Sequence, residues 1–267
     1  MTTAQFNLDE LAIPPYDEFV FKKRRTKYVL LIPTYNEITY FPEQIKKMHN
    51  CGVFDLVDVV VCDAGSTDGC ADPVMLRENG FTALLIRKGP GRYSTDLRMG
   101  YGWAINQGYE GFITVDAFDR DDTSSMALFI EKLDEGYDYI QGSRYVKGGK
   151  HIRTPIIRYL SMRLLSGPII SLSARHHLTD VTNGYRAYSR RFLLAKDIHA
   201  FREEFNLHEL IYYLPSAAGR KGYRLIEVPV TRIYQKESKY STHANMRSNL
   251  KFLRGIIWTL LGKFDVK

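Results

Sequence analysis

The sequence predicts an α/β fold, a mostly parallel sheet flanked by helices, and three observations predict it. First, β-branched apolar runs alternate with stretches of helical periodicity from Tyr28 to Gly142. Second, the strand-like runs end abruptly on polar residues: Glu37 soon after the run Tyr28 to Ile32, Asp63 after Val59 to Cys62, and Asp116 after Ile113 to Val115. In a parallel sheet such ends share one edge, so the three carboxylates should converge in a crevice. Third, 267 residues with 45% hydrophobic content suffice for a substantial core in one large domain.

The elements follow in order. Residues 1–26 read as an N-terminal extension punctuated by Pro14 and Pro15, and its Lys22-Lys23-Arg24-Arg25 run reads as a solvated face. Met1 to Glu10 is polar and lacks the apolar core of a signal peptide. A first strand over 28–32 leads to a helix over 38–50, opened by Pro42 and Glu43. Strands are then predicted over 56–62, 81–86, 112–116 and 138–142, with helices over 71–78, 94–107 and 123–135 between them. Such alternation implies right-handed crossovers. Beyond residue 150 the pattern predicts helices over 154–175, 202–219 and 244–264, with strands over 184–188 and 223–230.

Residues 112–122, Phe-Ile-Thr-Val-Asp-Ala-Phe-Asp-Arg-Asp-Asp, are the chemical centre of the sequence. Asp116, Asp119, Asp121 and Asp122 repel one another unless positive charge sits among them, and Mg²⁺ or Mn²⁺ would supply it through oxygen ligands. The same stretch also reads as a solvated acidic loop in which Asp122 or Thr123 caps the next helix. With Gly65 and Gly69 allowing close backbone approach, the three strand-end acids point to a nucleotide pocket. A net charge of +7 favours an anionic partner. Cys51, Cys62 and Cys70 have no metal-type spacing and read as reduced thiols of a cytosolic protein. No recognition-helix, zinc-finger or RNP-like pattern supports nucleic-acid binding.

The segment Ile32-Pro-Thr-Tyr-Asn-Glu37 followed by Asp63-Ala-Gly-Ser-Thr-Asp-Gly69 resembles the opening of family-2 glycosyltransferases of the GT-A fold, in their dolichol-phosphate mannose synthase-like, polyprenyl-phosphate branch. Further matches keep the same order: Gln141-Gly-Ser-Arg-Tyr145, Asp180-Val-Thr-Asn-Gly-Tyr-Arg186, Glu209, Glu227-Val-Pro-Val-Thr-Arg232 and Glu237-Ser-Lys239. The resemblance spans residues 27–242, so it implies a GT-A domain over 27–243 and a C-terminal basic amphipathic helix over 244–267. It implies that Pro33, Tyr35, Glu37, Asp63 and Gly65 hold the nucleotide, and that Asp116 holds a metal on the diphosphate. Arg144 would contact phosphate or sugar, Glu209 would lie near the acceptor or donor sugar, and Arg232 and Lys239 would come from a loop covering the diphosphate. Lys88 and Arg92 offer further charge, either for phosphate or in a solvated turn.

Two departures stand out. The family's Asp-X-Asp has Phe118 at its third position, so Asp119 is expected as the substitute ligand, with Asp121 or Asp122 in reserve; the shifted motif Asp-Gly-Asn-Asn-Lys-Asp of some relatives fits almost as well. The segment from Pro229 to Lys239 is also shorter than in the mannose synthases, with no Arg in register with theirs.

The resemblance implies an inverting transfer from a nucleotide-sugar to a polyprenyl phosphate or lipid-linked glycan; a soluble sugar or polysaccharide hydroxyl is the alternative acceptor, and a nucleotidyltransferase the rival activity. Leu250, Leu253, Ile257, Leu260, Leu261 and Phe264 recur at helical spacing among Arg247, Lys251, Arg254 and Lys263. Such a helix either packs on the sheet or lies in an anionic membrane surface. Residues 156–174 repeat the pattern; in the enzymes that the chain resembles this region lies at the membrane interface, so the resemblance implies a protein peripheral on the cytoplasmic face of a membrane. These motifs leave the donor sugar, its base and the oligomeric state open.

Overall fold

A computed structural model describes residues 11–234 and 246–265; for residues 246–250 and 252 only the helical backbone is described. The chain begins with β1 (Tyr16–Val20) and β2 (Tyr28–Thr34), then α1 (Phe41–Asn50), α2 (Val53–Leu56), β3 (Asp58–Asp63), α3 (Pro73–Glu78), β4 (Ala83–Arg87), α4 (Tyr93–Asn106) and β5 (Gly111–Thr114). A 3-10 turn (Thr123–Ser125) opens α5 (Met126–Asp134), followed by β6 (Tyr139–Ser143), β7 (Lys150–Ile152), α6 (Ile156–Ser161), a π turn (Met162–Ser166) and α7 (Gly167–Ala174). Then come β8 (Arg186–Ser189), α8 (Arg190–Leu193), α9 (Glu209–Arg220), β9 (Leu225–Pro229), β10 (Thr231–Ile233) and α10 (Met246–Leu260).

Eight strands form one sheet in the order β1-β4-β3-β2-β5-β8-β6-β9, and β10 pairs with β7 in a small second sheet. The run β4-β3-β2-β5 is parallel; β1 and β8 are antiparallel to their neighbours. The order reverses between β2 and β5, which makes their C-terminal ends the switch point where an open α/β sheet holds ligands. Thr34 pairs with Asp63, and Asp116 follows two residues after the Leu31–Thr114 pair, so the predicted acid edge is formed.

Both sheet faces are covered, as central parallel strands require. Val29, Leu31, Val60 and Cys62 join the core on one face with α4, α7 and α9, whereas Leu30, Ile32, Val59 and Val61 join the other with α1, α3 and α5. Helix α4 lies so close to the sheet that a Cβ on Gly100 would be 2.5 Å from Cys62 Sγ.

Several expectations are corrected. The segment expected as an extension supplies the edge strand β1, antiparallel to β4, which alternation logic misses because the strand precedes the first βα unit. Its basic run is the exposed face expected, and in addition Lys22, Arg24 and Arg25 donate to Gly80 O, Gly108 O and Phe54 O, carbonyls at the C-terminal ends of α3, α4 and α2. Cations there meet the negative ends of three helix dipoles. The helix expected over 154–175 is interrupted by the π turn next to Gly167 and Pro168, because Pro168 has no amide hydrogen to continue a regular ladder. The helix expected from 202 starts only at Glu209.

Helix α9 contains Pro215, which leaves the carbonyl four residues earlier without its intrahelical donor. That carbonyl, Ile211 O, accepts instead from Arg186 Nη1 at 2.7 Å. Arg186 also donates to Asn183 O and Val181 O, so this motif arginine is a buried brace between β8 and α9.

Gly100→Ala should destabilise the protein by about 1–3 kcal/mol despite alanine's higher helix propensity, because the new methyl overpacks against Cys62. Urea unfolding should show that loss, and Cys62→Ala in the same chain should recover part of it.

Candidate functional site

The loops after β2 and β3 are stapled together by backbone-to-side-chain bonds. Asp63 accepts from the backbone amides of Gly65 (2.9 Å) and Ser66 (2.8 Å), and Gly65 has the positive φ (88°) that this tight turn needs. Across the gap Asn36 N donates to Ser66 Oγ, Thr67 N to Asn36 Oδ1, and Ile38 N to Asp68 Oδ2. Pro33 is half-buried at the end of β2, and the Tyr35 ring projects, exposed, above this platform.

Glu37 is buried beneath it, and its Oε2 has no hydrogen-bond partner. Burial pushes its carboxyl up to about 8; the pull of Arg120 is outweighed by that burial together with the repulsion of Asp116 and Asp68. Glu37 and Asp116 therefore face each other across the switch point.

The acid loop after β5 is held by cations from distant parts of the chain. Arg232 on β10 donates through Nη2 to Asp116 Oδ2 (2.6 Å) and through Nη1 to both oxygens of Asp121 (2.8 and 2.9 Å) and to Asn183 Oδ1 (3.0 Å). Lys47 of α1 pairs with Asp119 at 2.6 Å, and Gln44 donates to Asp121 O. Asp122 caps the 3-10 turn, accepting from Ser124 N at 3.0 Å, which is the helix-capping alternative drawn from the sequence.

A second buried lattice supports this rim. Arg144 grips Asp180 with Nε–Oδ2 at 2.6 Å and Nη2–Oδ1 at 2.8 Å, and its Nη1 donates to the Tyr234 hydroxyl at 3.0 Å. Glu227 accepts from Thr179 N and Asp180 N, fixing the same loop to β9. Burial alone would raise the Tyr234 hydroxyl, yet Arg232, Arg144 and Arg158 together hold it below its ordinary value. Glu209 Oε2 accepts from Leu207 N at 2.7 Å, which ties the turn leading into α9 to the first residue of that helix. Its neighbour His208 lies parallel to the Tyr93 ring, and Tyr93 lies within the electrostatic reach of Asp116.

The structure thus brings together Pro33, Tyr35, Glu37, Asp63, Gly65 and Asp116. Two expectations change. Arg144 is turned into the protein against Asp180 and offers no open face to a phosphate. Arg232 is an interior clasp on the acids and not an open cation over the diphosphate. Lys88 takes the solvated alternative left open by the sequence, pairing on the surface with Asp17 of β1. Lys239 and Glu237 lie outside the described residues, as do Met1 to Glu10 and the side chains of Arg247 and Leu250. Lys47, Arg120, Asn183, Asp180 and Tyr234 were not singled out as site residues by sequence reasoning; for Arg120 a signal existed, one cation inside an otherwise acidic run.

For a divalent cation, Asp116 fits as a ligand. It is partly exposed at the crevice, and Gly184 leaves it room: a Cβ there would lie 2.6 Å from its Oδ1. The expected two-acid set is not assembled, because Asp119 is taken by Lys47, and among the described residues no three His, Cys, Asp or Glu side chains form a cage. A Mg²⁺ or Mn²⁺ site of one carboxylate completed by substrate phosphates matches this arrangement.

No family model matches the chain. It is 30% identical over 220 residues to an undecaprenyl-phosphate mannosyltransferase of Micrococcus luteus, covering 80% of this chain and 88% of that one. Over 240 residues it is 25% identical to a polyprenol monophosphomannose synthase of Mycolicibacterium smegmatis, covering 89% and 88%. Among solved structures, glucosyl-3-phosphoglycerate synthase from Mycobacterium tuberculosis, crystallised with Mn²⁺ and UDP, superposes with a TM-score of 0.61 at 14% identity, covering 98% of this chain and 86% of that one. That likeness carries the fold.

Because the folded Glu37 holds its proton more tightly than an unfolded glutamate, its contribution to stability is full below about pH 4.5 and is lost as pH rises toward about 8. Thermal unfolding from pH 5 to 9 should therefore show Glu37→Gln with a flatter profile than the parent and a higher Tm above pH 8.

Proposed function

The chain belongs to the polyprenyl-phosphate glycosyltransferases of glycosyltransferase family 2, and from that membership we propose that it moves a sugar, with inversion, from a nucleoside diphosphate sugar to the phosphate of a polyprenyl lipid at a membrane surface. The observation that carries the acceptor side is a juxtaposition. The acid-lined crevice adjoins α6, a helix with an exposed apolar face, and Arg158 of that helix reaches the site, its guanidinium carbon 5.7 Å from the Tyr234 ring centre.

In this reading the platform of Asp63, Gly65 and Asn36, with Tyr35 above it, receives the nucleoside. Glu37, protonated at neutral pH, donates one hydrogen bond without adding repulsion to a diphosphate. When bound, Mg²⁺ or Mn²⁺ held by Asp116 would draw charge from the leaving oxygen. An oxygen of the acceptor phosphate forms the new bond to the anomeric carbon as the bond to the diphosphate breaks, and the electron pair leaves on the β-phosphate oxygen. That nucleophile is already anionic, so no base is required and Glu209 keeps its bond to the Leu207 amide. Arg144 positions the rim through Asp180 and Tyr234, and Lys239, by resemblance, closes over the donor.

The apolar surface supports a membrane location. No helix among the described residues is long and apolar enough to cross a bilayer. Yet Ile156, Ile157 and Leu164 are 75%, 84% and 73% exposed, and Leu172 on α7 and Leu261 just after α10 are 69% and 64% exposed. Helices α7 and α10 are neighbours, and Arg163, Arg175 and Lys251 lie among these residues. Apolar side chains ringed by cations suit the interface of an anionic leaflet on the cytoplasmic side.

Incubation with nucleotide-sugars and polyprenyl phosphate should release a nucleoside diphosphate and form a glycosyl phospholipid. Asp116→Asn should lower kcat/KM by roughly 10²–10³-fold. Pyrophosphate released from a nucleoside triphosphate instead would overturn the proposal. Flotation with phosphatidylglycerol vesicles should carry the parent protein upward, whereas the surface variant Ile157→Glu/Leu164→Glu should stay behind with its Tm unchanged.

A further inference from the structure

The acid loop is closed on itself and pinned from outside. Arg232 bonds both Asp116 Oδ2 (2.6 Å) and Asp121 Oδ1 (2.8 Å), so the two ends of the stretch 116–121 meet on a single guanidinium. Asp119 lies on the turn between them with a φ of 53°, a left-handed conformation that residues other than glycine seldom adopt. Lys47 holds it there twice, its Nζ 2.6 Å from Asp119 Oδ1 and 3.4 Å from Asp119 O. One turn back on the same face of α1, Gln44 donates to Asp121 O at 3.2 Å. The helix itself opens on Glu37, whose carbonyl accepts from Phe41 N at 2.8 Å.

The exposure of the pair is uneven. The Asp119 side chain is 8% exposed and that of Lys47 35%, so the lysine lies on the solvent side of the carboxylate. Of the four acids that the loop supplies, Asp119 is on Lys47, Asp121 is on Arg232 and Asp122 is on the Ser124 amide. Asp116, 17% exposed, is left to meet an ion at the crevice. A hard divalent cation gains affinity with each anionic oxygen it recruits, and one carboxylate is a weak site until phosphate oxygens join it.

We propose that Lys47 makes metal binding depend on the donor: by pairing with Asp119 it holds the site at one carboxylate, so that Mg²⁺ or Mn²⁺ enters together with a nucleoside diphosphate and not ahead of it. Lys47 is then a positioning residue that acts through Asp119, a resident counter-ion on the acid that would otherwise strengthen the site. This rests on the nucleotide-sugar reading above and adds the order in which the two ligands arrive.

Calorimetric titration with MnCl₂, alone and in saturating UDP or GDP, tests it. The parent protein should bind Mn²⁺ at least about tenfold more tightly with the matching diphosphate than without it. Lys47→Ala should raise the affinity for Mn²⁺ alone by roughly tenfold, because Asp119 then has one cation fewer. Asp119→Asn by itself should leave that affinity unchanged, and Lys47→Ala/Asp119→Asn should return it to the parent value. Lys47→Arg, which keeps the pairing, should behave as the parent. A lysine that merely braced the loop would, on removal, weaken Mn²⁺ binding or leave it alone. Either result overturns the role of Lys47, as does a gain that survives Asp119→Asn, while diphosphate-dependent Mn²⁺ binding by the parent keeps the nucleotide-sugar reading standing. Absence of binding to UDP and GDP even with Mn²⁺ overturns both.

Discussion

The clasp of Arg232 on Asp116 and Asp121 is the interaction on which the rim depends. Three acids packed into one short loop could not be buried together without cations, since each unpaired carboxylate would carry a large desolvation cost. Arg232 neutralises two from β10, and Lys47 neutralises the third from α1. Asp116 still keeps an oxygen beside Gly184, so the one acid that faces the crevice is restrained without being sealed.

Around this clasp the polar residues fall into two groups. Arg144, Asp180, Glu227 and Arg186 saturate one another and nearby carbonyls in the interior, where a half-satisfied network would be costly. Glu37, Asp116 and Arg120 act on one another across the open edge. Burial pushes the first away from its ordinary ionisation, which is the usual electrostatic mark of a site poised for a ligand. The first group gives the rim its shape, and the second carries the charge that the proposed reaction would use.

Much of this was legible in the sequence because it is local. The strands β2, β3, β5 and β6 announce themselves by apolar runs, and the acids at their ends follow from parallel alternation. Membership in the polyprenyl-phosphate branch was readable from ordered motifs. What stayed hidden is pairing at a distance. Nothing local in Lys22-Lys23-Arg24-Arg25 says that three of its cations cap three different helices. Nothing in Gln141-Gly-Ser-Arg144 says that its arginine turns inward to Asp180. Strand β1 escaped because its hydrogen-bonding partner lies 67 residues further on, and the break in the long apolar helix depended on how the chain accommodates Pro168.

The spacing of the clasp has a consequence for how the chain reaches its native state. Arg232 lies 116 positions after Asp116 and 111 after Asp121. A chain emerging from the ribosome presents both acids long before their counterion exists, and bridging so wide an interval adds entropy loss to a late step. The α/β half can nucleate early on β2, β3 and β4, but the acid edge can lock only after β10 has been synthesised. Assembly of the acid edge thereby waits on a strand that lies more than a hundred residues beyond the acids it holds.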